Sequence, residues 1–296
     1  MDLLAAMKMY VAVIDGGSFA AAADKLDVSP AMVSKQVQKL EEHLGTRLMN
    51  RTTRRLSMTE TGRAFYARSA QIVADVDEAE QIAGQMTLTP QGVLRVTIPL
   101  SYGQHRLAGI LGAYTQAYPR VTLDIAMSDR KVDLVEEGFD VAVRIGVLPE
   151  SDLIARRLGG ERSIACASPA YLARHGTPHT PAELGRHACL GYSLTAGGSD
   201  WRFDAPGGPV SVPVTGPMKA DNGDILRLAA VCGAGIAFQP GFIVDDDIAA
   251  GRLVRVLPGW HSPEMGVYAV YPSRKHLSAK VRTFVDFLAG ALEGAS

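Results

Sequence analysis

The chain has 296 residues, 47% of them hydrophobic and 21% charged, which is the composition of a globular protein of about two domains. Its net charge is −1, so any attraction to nucleic acid must come from a local patch and not from a global field. The chain begins Met1-Asp2-Leu3-Leu4 without a basic leader, and no apolar run approaches the ~18 residues of a membrane span. We therefore expect a cytoplasmic protein with no membrane partner.

Three cysteines, Cys166, Cys189 and Cys232, are widely spaced, which favours buried thiols in a reducing compartment over a disulfide framework. Cys166 and Cys232 lie in strongly apolar runs and are expected to be inert, whereas the pattern around Cys189 is less informative. A regulator that senses redox state would need an exposed thiol with a lowered pKa, and this function stays an alternative.

Two short helices joined by a tight turn are predicted between residues 18 and 48, after a supporting helix that ends before Gly16-Gly17. Ser18 and Ser29 are predicted N-caps, because a serine oxygen can accept a hydrogen bond from the free N–H groups of a first helical turn. Pro30 has no N–H group to leave unpaired, and Gly45 provides the left-handed residue that ends the second helix. One buried stripe is predicted in the second helix: Val33, Val37, Leu40 and Leu44.

The other faces of the second helix carry polar residues that can meet a partner: Ser34, Lys35, Gln38 and Lys39. The stretch 46–58 is too short and too basic for another packed helix, and it predicts a wing of two brief strands with a turn near Thr52-Thr53. Six basic residues between 34 and 55 stand against two acidic ones, a net charge of +4: Lys35, Lys39, Arg47, Arg51, Arg54 and Arg55. A basic patch beside a helix pair predicts binding to DNA phosphates.

A long helix is predicted from Thr59-Glu60-Thr61-Gly62 to Thr89-Pro90. Its apolar side follows a 3.5-residue repeat, which is the seam of a coiled coil, with Ser69 as an interruption. The seam consists of Phe65, Ile72, Val76, Ala79, Ala83 and Met86. We expect this helix to form a dimer, the alternative being a helix that lies on its own domain with an acidic face in solvent.

From Gly92 onward, apolar strand patterns alternate with helical patterns, which predicts mostly parallel sheets covered on both faces. One helix in this region is expected around Asp133. Lobe I comprises about residues 92–161 plus 267–296, and lobe II about residues 162–266. The chain therefore crosses twice between the lobes, and a cleft is expected between them. The predicted class is α+β multidomain: an all-α winged helix-turn-helix domain (1–61), a linker helix for dimerisation (62–91) and a two-lobed α/β ligand-binding domain (92–296).

Ligands of open α/β sheets bind beyond the carboxyl ends of the strands, so the candidate ligand residues are those near these ends. Ser101 and Tyr102 follow the first strand, and the Ser101 hydroxyl is expected either to meet an anion or to act as a plain helix cap. Arg144 emerges from a strand that should be buried, either to clamp a ligand carboxylate or to pair with Asp140 or Asp133. The remaining candidates are Trp201 and Phe238, which could form an apolar wall of the ligand site, and Asn222, which could supply an amide. For each of them, a role in the core or on the surface of a lobe is the alternative.

Signatures of catalysis and of metal binding are missing from the sequence. It contains no Gly-x-Ser-x-Gly elbow, no phosphate loop and no His-Glu-x-x-His helix, so we predict no catalytic residues and no cofactor. His187 and Cys189 are two ligands short of a structural zinc site, and we therefore predict no metal.

In this order, the motifs of the chain resemble those of the LysR-type transcriptional regulators over nearly its whole length. In the N-terminal part the matching segments are 19–23 with Leu26, 29–37, 40–42, 44–48, Arg51, Arg54 and 56–62. Further on they are Tyr118-Pro119, 132–134, 137–144, 167–172 and 233–237. One departure is Met49, which stands where the family usually has a large aromatic residue at the base of the wing.

The resemblance implies a winged helix-turn-helix, a linker-helix dimer and an effector domain similar to periplasmic binding proteins, whose cleft takes a small co-inducer. It implies homodimers that commonly assemble as homotetramers on a bent promoter palindrome, with RNA polymerase as a candidate partner. Carried over by position, Ser29, Pro30, Ser34, Lys35 and Gln38 approach base edges or phosphates, and Arg51, Arg54 and Arg55 hold backbone phosphates.

The function predicted in this way is sequence-specific DNA binding controlled by a small effector, with a carboxylate as the favoured class. Two other functions are weighed against it. A metabolite-binding protein with a non-functional DNA domain would retain ligand affinity and protect no DNA, and the intact basic wing argues against it. An enzyme with a regulatory DNA domain would turn its ligand over, and the absence of a nucleophile-base pair argues against that.

Overall fold

The computed structural model describes residues 1–51, 56–83, 89–130, 132–148, 151–194, 200–204, 208–272 and 277–293. The chain divides into two compact units, the first comprising Met1–Thr89 with Glu136–Gly138 and the second comprising Pro90–Val135 with Phe139–Ser296. Over the described residues, none of the helices combines the length and the apolar character needed to cross a membrane. In the same part of the chain, His, Cys, Asp and Glu residues form no group of three or more that could hold a metal ion.

Over its described residues, the first unit contains four helices and a two-stranded sheet. In chain order they are α1 (Leu3–Asp15), α2 (Phe19–Leu26), α3 (Pro30–Leu44), β1 (Met49–Arg51), β2 (Leu56–Met58) and α4 (Glu60–Ala83). The strands β1 and β2 pair in antiparallel fashion, with Met49 opposite Met58. The turn predicted near Thr52-Thr53 lies outside the described residues.

Local capping explains where the two short helices begin and end. The hydroxyl oxygens of Ser18 and Ser29 accept hydrogen bonds from the backbone N–H groups of Ala21 (3.0 Å) and Met32 (3.2 Å). Gly45 ends α3 in the left-handed conformation with φ 66°. Three of the four predicted stripe residues are buried: Val33, Val37 and Leu40. The fourth, Leu44, is the last residue of α3 and is 37% exposed.

The long helix α4 begins one residue after Thr59, whose hydroxyl oxygen accepts a hydrogen bond from Gly62 N–H at 2.9 Å. Phe65 packs against the core of the first unit, whereas Ile72 is 43% exposed. Ser69, the interruption of the predicted seam, is fully buried. The side chains of the remaining seam residues beyond Val76 lie outside the described residues: Ala79, Ala83 and Met86.

The second unit contains two lobes. Up to the first crossing its elements are β3 (Gly92–Ile98), α5 (Leu100–Tyr102), a π-helical segment (Gly103–Leu107), α6 (Ala108–Ala117), β4 (Val121–Met127), β5 (Val141–Ile145) and β6 (Leu153–Glu161). Next come β7 (Ser163–Ala167), α7 (Pro169–His175), a 3₁₀ helix (Pro181–Arg186), β8 (Cys189–Tyr192), β9 (Asp200–Phe203), β10 (Val210–Pro213) and β11 (Lys219–Ala220). The chain ends with α8 (Gly223–Val231), β12 (Ile236–Pro240), α9 (Gly241–Ala249), β13 (Val254–Arg255), β14 (Met265–Pro272) and α10 (Ala279–Glu293).

In the part of the chain that the structure describes, each lobe has a five-stranded mixed sheet. In lobe I the order is β4-β3-β5-β14-β6, with parallel pairing among β4, β3 and β5 and antiparallel pairing of β14 with both of its neighbours. In lobe II the order is β11-β8-β12-β7-β13, parallel among the first three strands and antiparallel beyond them. The prediction of mostly parallel sheets was therefore wrong for half of each sheet. In lobe I the reason is that β14 returns from the other lobe and inserts between β5 and β6. In lobe II the strand β7 runs antiparallel to both of its neighbours, β12 and β13.

Another correction concerns the helix expected around Asp133. The structure has a turn at 134–138, in which the N–H group of Phe139 donates a hydrogen bond to the Leu134 carbonyl at 2.8 Å. Gly138 follows the acidic pair of this turn with φ 72°, a conformation that ends a helical stretch almost as soon as it begins.

The two crossings between the lobes run side by side and are joined by hydrogen bonds. Arg162 follows β6, and its Nη1 donates to the backbone carbonyl of Ser262, 2.6 Å away on the returning segment. The hydroxyl oxygen of Ser262 accepts a hydrogen bond from the Ser163 N–H at 2.6 Å. These bonds hold the two connections together at the point about which the lobes would have to move.

Candidate nucleic-acid interface and ligand cleft

Helix α3 carries four of the eight residues predicted to contact DNA. Pro30, Lys35 and Gln38 are exposed, and Ser34 is half-buried. The Ser29 hydroxyl is occupied as the N-cap of α3, and Nε2 of Gln38 donates a hydrogen bond to Glu42 Oε1 at 3.0 Å. A glutamine that reads a base edge from this position would first have to leave Glu42.

The base of the wing is organised by a single carboxylate on α3. Oε1 of Glu41 accepts hydrogen bonds from the backbone N–H groups of Leu48 (2.8 Å) and Met49 (3.1 Å). The side chain of Met49 is 1% exposed and belongs to the core of the first unit, so methionine fills the place at the wing base without opening a gap. The predicted phosphate contacts of the wing, the side chain of Arg51 and residues Arg54 and Arg55, lie outside the described residues.

On the lobe I side, the carboxyl ends of β3, β4 and β5 bring together residues that are far apart in sequence. Asp129, which follows β4, accepts a hydrogen bond from the Leu100 N–H at 3.1 Å. Burial raises the pKa of Asp129; the Leu100 N–H bond opposes this, Asp221 raises the pKa further, and the charge of Arg144 lowers it. The half-buried carboxylate of Asp129 and the guanidinium of Arg144 therefore interact electrostatically at this edge of the sheet.

Arg144 is half-buried near the end of β5, opposite Tyr268 of β14, and its Nη1 donates to the carbonyl of Val143 at 3.0 Å. Asp140, one of the partners considered for it, forms an ion pair with Lys280 Nζ at 3.0 Å and accepts the Arg95 N–H at 2.9 Å. The second unit therefore ties Asp140 to α10 and β3.

The lobe II side of the cleft is formed by the start of α8. Asn222 is the N-cap, with its Oδ1 accepting a hydrogen bond from the Ile225 N–H at 3.1 Å. Its Nδ2 is buried and makes no hydrogen bond to any described residue. Gly223 has no side chain, and a β-carbon there would lie 2.7 Å from Oε1 of Gln239, so α8 begins in close contact with the carboxyl end of β12.

Contacts from lobe I reach the same turn of α8. The hydroxyl of Ser101 donates to Asp224 Oδ2 at 2.6 Å, and Nε2 of His105 lies 2.8 Å from Asp224 Oδ1. Ser101 does not cap the helix, because the helix begins at Leu100, after Pro99. The plain-cap alternative was wrong, and the Ser101 hydroxyl meets an anion that the protein itself supplies.

The three aromatic candidates have different surroundings. Tyr102 is buried against Phe242 of α9, with ring centroids 5.1 Å apart and a T-shaped arrangement, and burial followed by the charge of Glu161 raises its pKa to about 12. Trp201 stacks on Phe238 at 5.0 Å, is only 7% exposed and belongs to a core cluster of lobe II. For Trp201 and Phe238 the structure shows the core role that was the alternative in sequence.

Sequence reasoning missed three residues of the cleft: His105, Asp129 and Asp224. Asp129 follows the carboxyl end of β4 and could have been found by the same rule that selected Arg144. His105 lies four residues after Ser101, at the spacing that places two side chains on one helix face. Nothing local distinguishes Asp224, since its partners in lobe I are 119 and 123 residues away.

The cysteines correct one expectation. Cys166 and Cys189 are buried, and burial is the main cause that raises the pKa of each thiol to about 12. Cys232 is exposed, because it follows α8 at its carboxyl end and not inside the apolar core that its neighbours predicted. All three are free thiols.

Comparison with known proteins identifies matches for both units. The family model described as LysR substrate binding domain matches residues 88–293, and that described as bacterial regulatory helix-turn-helix protein, lysR family, matches residues 4–63. Among similar sequences, the HTH-type transcriptional regulator CrgA of Neisseria meningitidis serogroup C is 38% identical, covering 95% of this chain and 94% of the relative. The HTH-type transcriptional regulator DmlR of Escherichia coli K12 is 38% identical over 97% of this chain and 94% of the relative.

Solved structures show the same likeness over the full length. The structure of CrgA, a LysR-type transcriptional regulator from Neisseria meningitidis, has a TM-score of 0.63 at 36% identity, covering 97% of this chain and 98% of that chain. The full-length structure of AphB, a virulence activator of Vibrio cholerae and member of the same family, has a TM-score of 0.62 at 28% identity, covering 97% and 98%.

Proposed function

Because this chain belongs to the LysR family of transcriptional regulators, we propose that it binds a promoter palindrome as a homo-oligomer under the control of a small carboxylate held between its lobes. It acts on the chromosome in the cytoplasm, without a catalytic step, and RNA polymerase is its further partner. The observation that carries the DNA-binding part is the capped helix α3, whose exposed Pro30, Lys35 and Gln38 stand free of the core.

In this proposal the amino-terminal part of α3 lies in the major groove, and the wing lies on the backbone. Lys35 and Gln38 reach base edges or phosphates, Ser34 contributes its hydroxyl, and Ser29 and Pro30 position the first turn on the backbone. Phosphates are neutralised by Arg51, Arg54 and Arg55. The counterions released in this way make the DNA affinity depend on the salt concentration.

The test uses genomic DNA fragments selected by the wild-type protein and measures affinity at several salt concentrations. Lys35→Ala is expected to weaken binding. Because a dimer carries one Lys35 on each recognition helix, the variant should also reduce the salt slope by about 1.8, which is the release from two phosphates. Arg186→Ala, an exposed lobe II cation, is the matched control and should leave both quantities unchanged. A salt-insensitive association of the wild type would contradict direct binding.

The effector is proposed to bind between Arg144 of lobe I and the start of α8 in lobe II. The guanidinium of Arg144 clamps the carboxylate, Ser101 and Asn222 supply a hydroxyl and an amide, and Tyr102 closes one side. The buried Nδ2 of Asn222, with no hydrogen-bond acceptor among the described residues, supports a polar ligand group there. Trp201 and Phe238 take no direct part in this proposal, because they pack in the core of lobe II.

A bound-DNA map identifies the controlled genes, and from their neighbours a set of candidate carboxylates can be chosen for titration. Arg144→Gln is expected to abolish the response of operator binding to the active carboxylate while DNA affinity without it stays unchanged. Lys219→Gln removes a cation of lobe II on β11 and serves as the control. An Arg144→Gln protein that still responds would exclude the clamp.

Dimerisation is proposed to use α4, on which Ile72 is exposed and Val76 half-buried in the single chain. Val76→Glu with Ala79→Glu is expected to give monomers in sedimentation, and Ala64→Glu, on an exposed position near the start of the same helix, should not. Association of dimers into homotetramers would appear as a second, concentration-dependent species. Unchanged dimers in the double variant would mean that the seam lies elsewhere.

A further inference from the structure

The carboxylate of Asp224 has partners in both lobes. From lobe I, the Ser101 hydroxyl lies 2.6 Å from Oδ2 and His105 Nε2 lies 2.8 Å from Oδ1. From lobe II, Nε of Arg227 lies 3.5 Å from Oδ1, one turn along α8. Asp224 therefore stands between two sets of donors, and it uses the set from lobe I for its hydrogen bonds.

The set in lobe II is incomplete in a specific way. Nε of Arg227 is buried and makes no hydrogen bond to any described residue, although it is close enough to Asp224 for an ion pair. The rest of the guanidinium is fixed, since Nη1 donates to Asp247 Oδ2 at 2.7 Å and the side chain of Asp247 is only 2% exposed. Asp247 is held in turn by Arg252. Arg227 thus presents a fixed, unused donor toward Asp224.

The donors of lobe I are those that an anionic ligand in this cleft would use. Ser101 is 6% exposed, and the single proton of its hydroxyl is donated to Asp224. A ligand carboxylate cannot share the hydroxyl proton with Asp224, and the two charges would repel each other at hydrogen-bond distance. Occupation by Asp224 and occupation by a ligand carboxylate are therefore mutually exclusive at Ser101.

We propose that Asp224 is an internal carboxylate that closes the cleft through Ser101 and His105, and that the carboxylate of the effector displaces it onto Arg227. The effector thereby breaks the contact between the lobes at α8, and the released Asp224 completes its hydrogen bonds within lobe II. This inference rests on the proposed function, in which the effector lies in the cleft. It adds a two-position element that an effector can bias, which any ligand-controlled switch requires.

Spin-label distances in the full-length protein test the closed position. Native Cys232 is the exposed thiol of lobe II, and Gln116→Cys places a second label on an exposed position of α6 in lobe I. The labelled protein is diluted with unlabelled protein, so that distances within one chain are measured. Asp224→Asn is expected to shift the distance distribution toward open lobes, because its neutral amide keeps the shape but loses two charge-assisted contacts, a change of roughly tenfold or more in the closed-to-open ratio.

Ser101→Ala breaks the same contact from the other lobe and should give a shift in the same direction, which guards against a folding defect in the Asp224 variant. The control is Asp221→Asn, which removes a charge three residues before Asp224 in a position that is exposed. A distribution for Asp224→Asn that matches the wild type overturns the proposal, and so does an equal opening in Asp221→Asn.

The displacement step is tested with acetate on the same labelled protein. Acetate is expected to raise the open fraction of the wild type, whereas chloride at equal ionic strength and the neutral isostere acetamide are not. In Asp224→Asn, already open, acetate should add no further opening. The displacement step is overturned if acetamide opens the lobes as much as acetate does. It is also overturned if acetate, chloride and acetamide all leave the lobes closed. Loss of the operator response in Arg144→Gln with no opening in Asp224→Asn would leave the proposed function standing and exclude this inference alone.

Discussion

The hydroxyl of Tyr10 donates a hydrogen bond to the backbone carbonyl of Gly62, 3.0 Å away, and so joins the first helix of the DNA-binding unit to the first turn of α4. Burial, and after it the charge of Glu41, raises the pKa of Tyr10 to about 12, so the phenol keeps its proton for this bond. Gly62 is required in the same contact, because a β-carbon there would overlap the carbonyl of Leu48. The start of α4 is therefore fixed both to α1 and to the backbone of Leu48, just before β1.

Tyr10→Phe is expected to destabilise the DNA-binding unit by about 1 kcal/mol, since one buried hydrogen bond is lost and a carbonyl is left unpaired. Gly62→Ala should cost more, because the backbone of Leu48 has to move. Calorimetric unfolding of the full chain measures both changes. Gly290→Ala, in α10, where a β-carbon meets nothing within 4 Å, is the control and should be neutral or stabilising.

Glu41→Ala is expected to weaken DNA binding even though it removes a negative charge from a DNA-binding unit. The reason is structural: Glu41 holds the N–H groups of Leu48 and Met49 at the wing base, and hydrogen bonds to a charged group contribute about 1.5–3 kcal/mol. Glu42→Ala removes the same charge one residue away and frees Gln38, so its affinity should stay equal or rise. Equal gains in both variants, measured by fluorescence anisotropy, would show that charge alone matters.

Stability should depend on pH through two carboxylates of lobe II. Burial alone would raise the pKa of Asp224 and of Asp247, but hydrogen bonds and charges from Ser101 and His105 in one case and from Arg252 and Arg227 in the other lower both. A lowered folded-state pKa means that the stabilisation is present above the ordinary value of 3.8 and is lost as the pH falls through the lowered value. The stability difference between wild type and Asp224→Asn should therefore be constant from neutral pH down to about pH 5 and should shrink only below that pH in urea titrations.

Asp129 should show the opposite sign, because burial and its acidic neighbours raise its pKa. The stabilisation that Asp129 contributes is therefore present at a pH below the ordinary carboxyl pKa, and it is lost as the pH rises through the raised pKa of the folded state. Asp129→Asn, which keeps an acceptor for the Leu100 N–H, is expected to be more stable than wild type at pH 7 and equally stable near pH 3. A variant that is less stable than wild type at pH 7 would contradict this prediction. It would mean that the attraction between the Asp129 carboxylate and Arg144 outweighs the cost of burying the Asp129 charge.

The three thiols should separate into one fast and two slow groups in reaction with a thiol reagent at pH 8. Cys232 is exposed and should react first, whereas Cys166 and Cys189 are buried with pKa values raised to about 12 and should react only on unfolding. Cys232→Ser should remove the fast phase alone. A fast phase that survives this substitution would show that a buried cysteine opens to solvent in the native state.

Short-range patterns were sufficient for the DNA-binding unit. Each signal lies within a few residues of the group it acts on: Ser18 and Ser29 cap the next turn, Gly45 ends α3 with a positive φ, and Val33, Val37 and Leu40 share one helix face. The alternation of strands and helices likewise predicted two lobes and two crossings, because it follows from periodicity along the chain.

What the sequence by itself determined about this protein is thus the set of elements, their caps and the motif order that marks the family. The tertiary structure alone decided the insertion of β14 between β5 and β6, the core positions of Trp201 and Phe238, and the meeting of Ser101, His105 and Asp224 across the cleft. The physical reason is distance along the chain. A cap or a helical stripe depends on residues nearby in the chain. The half-buried carboxylate of Asp224 instead accepts hydrogen bonds from donors more than a hundred residues away, which only the folded chain brings within reach.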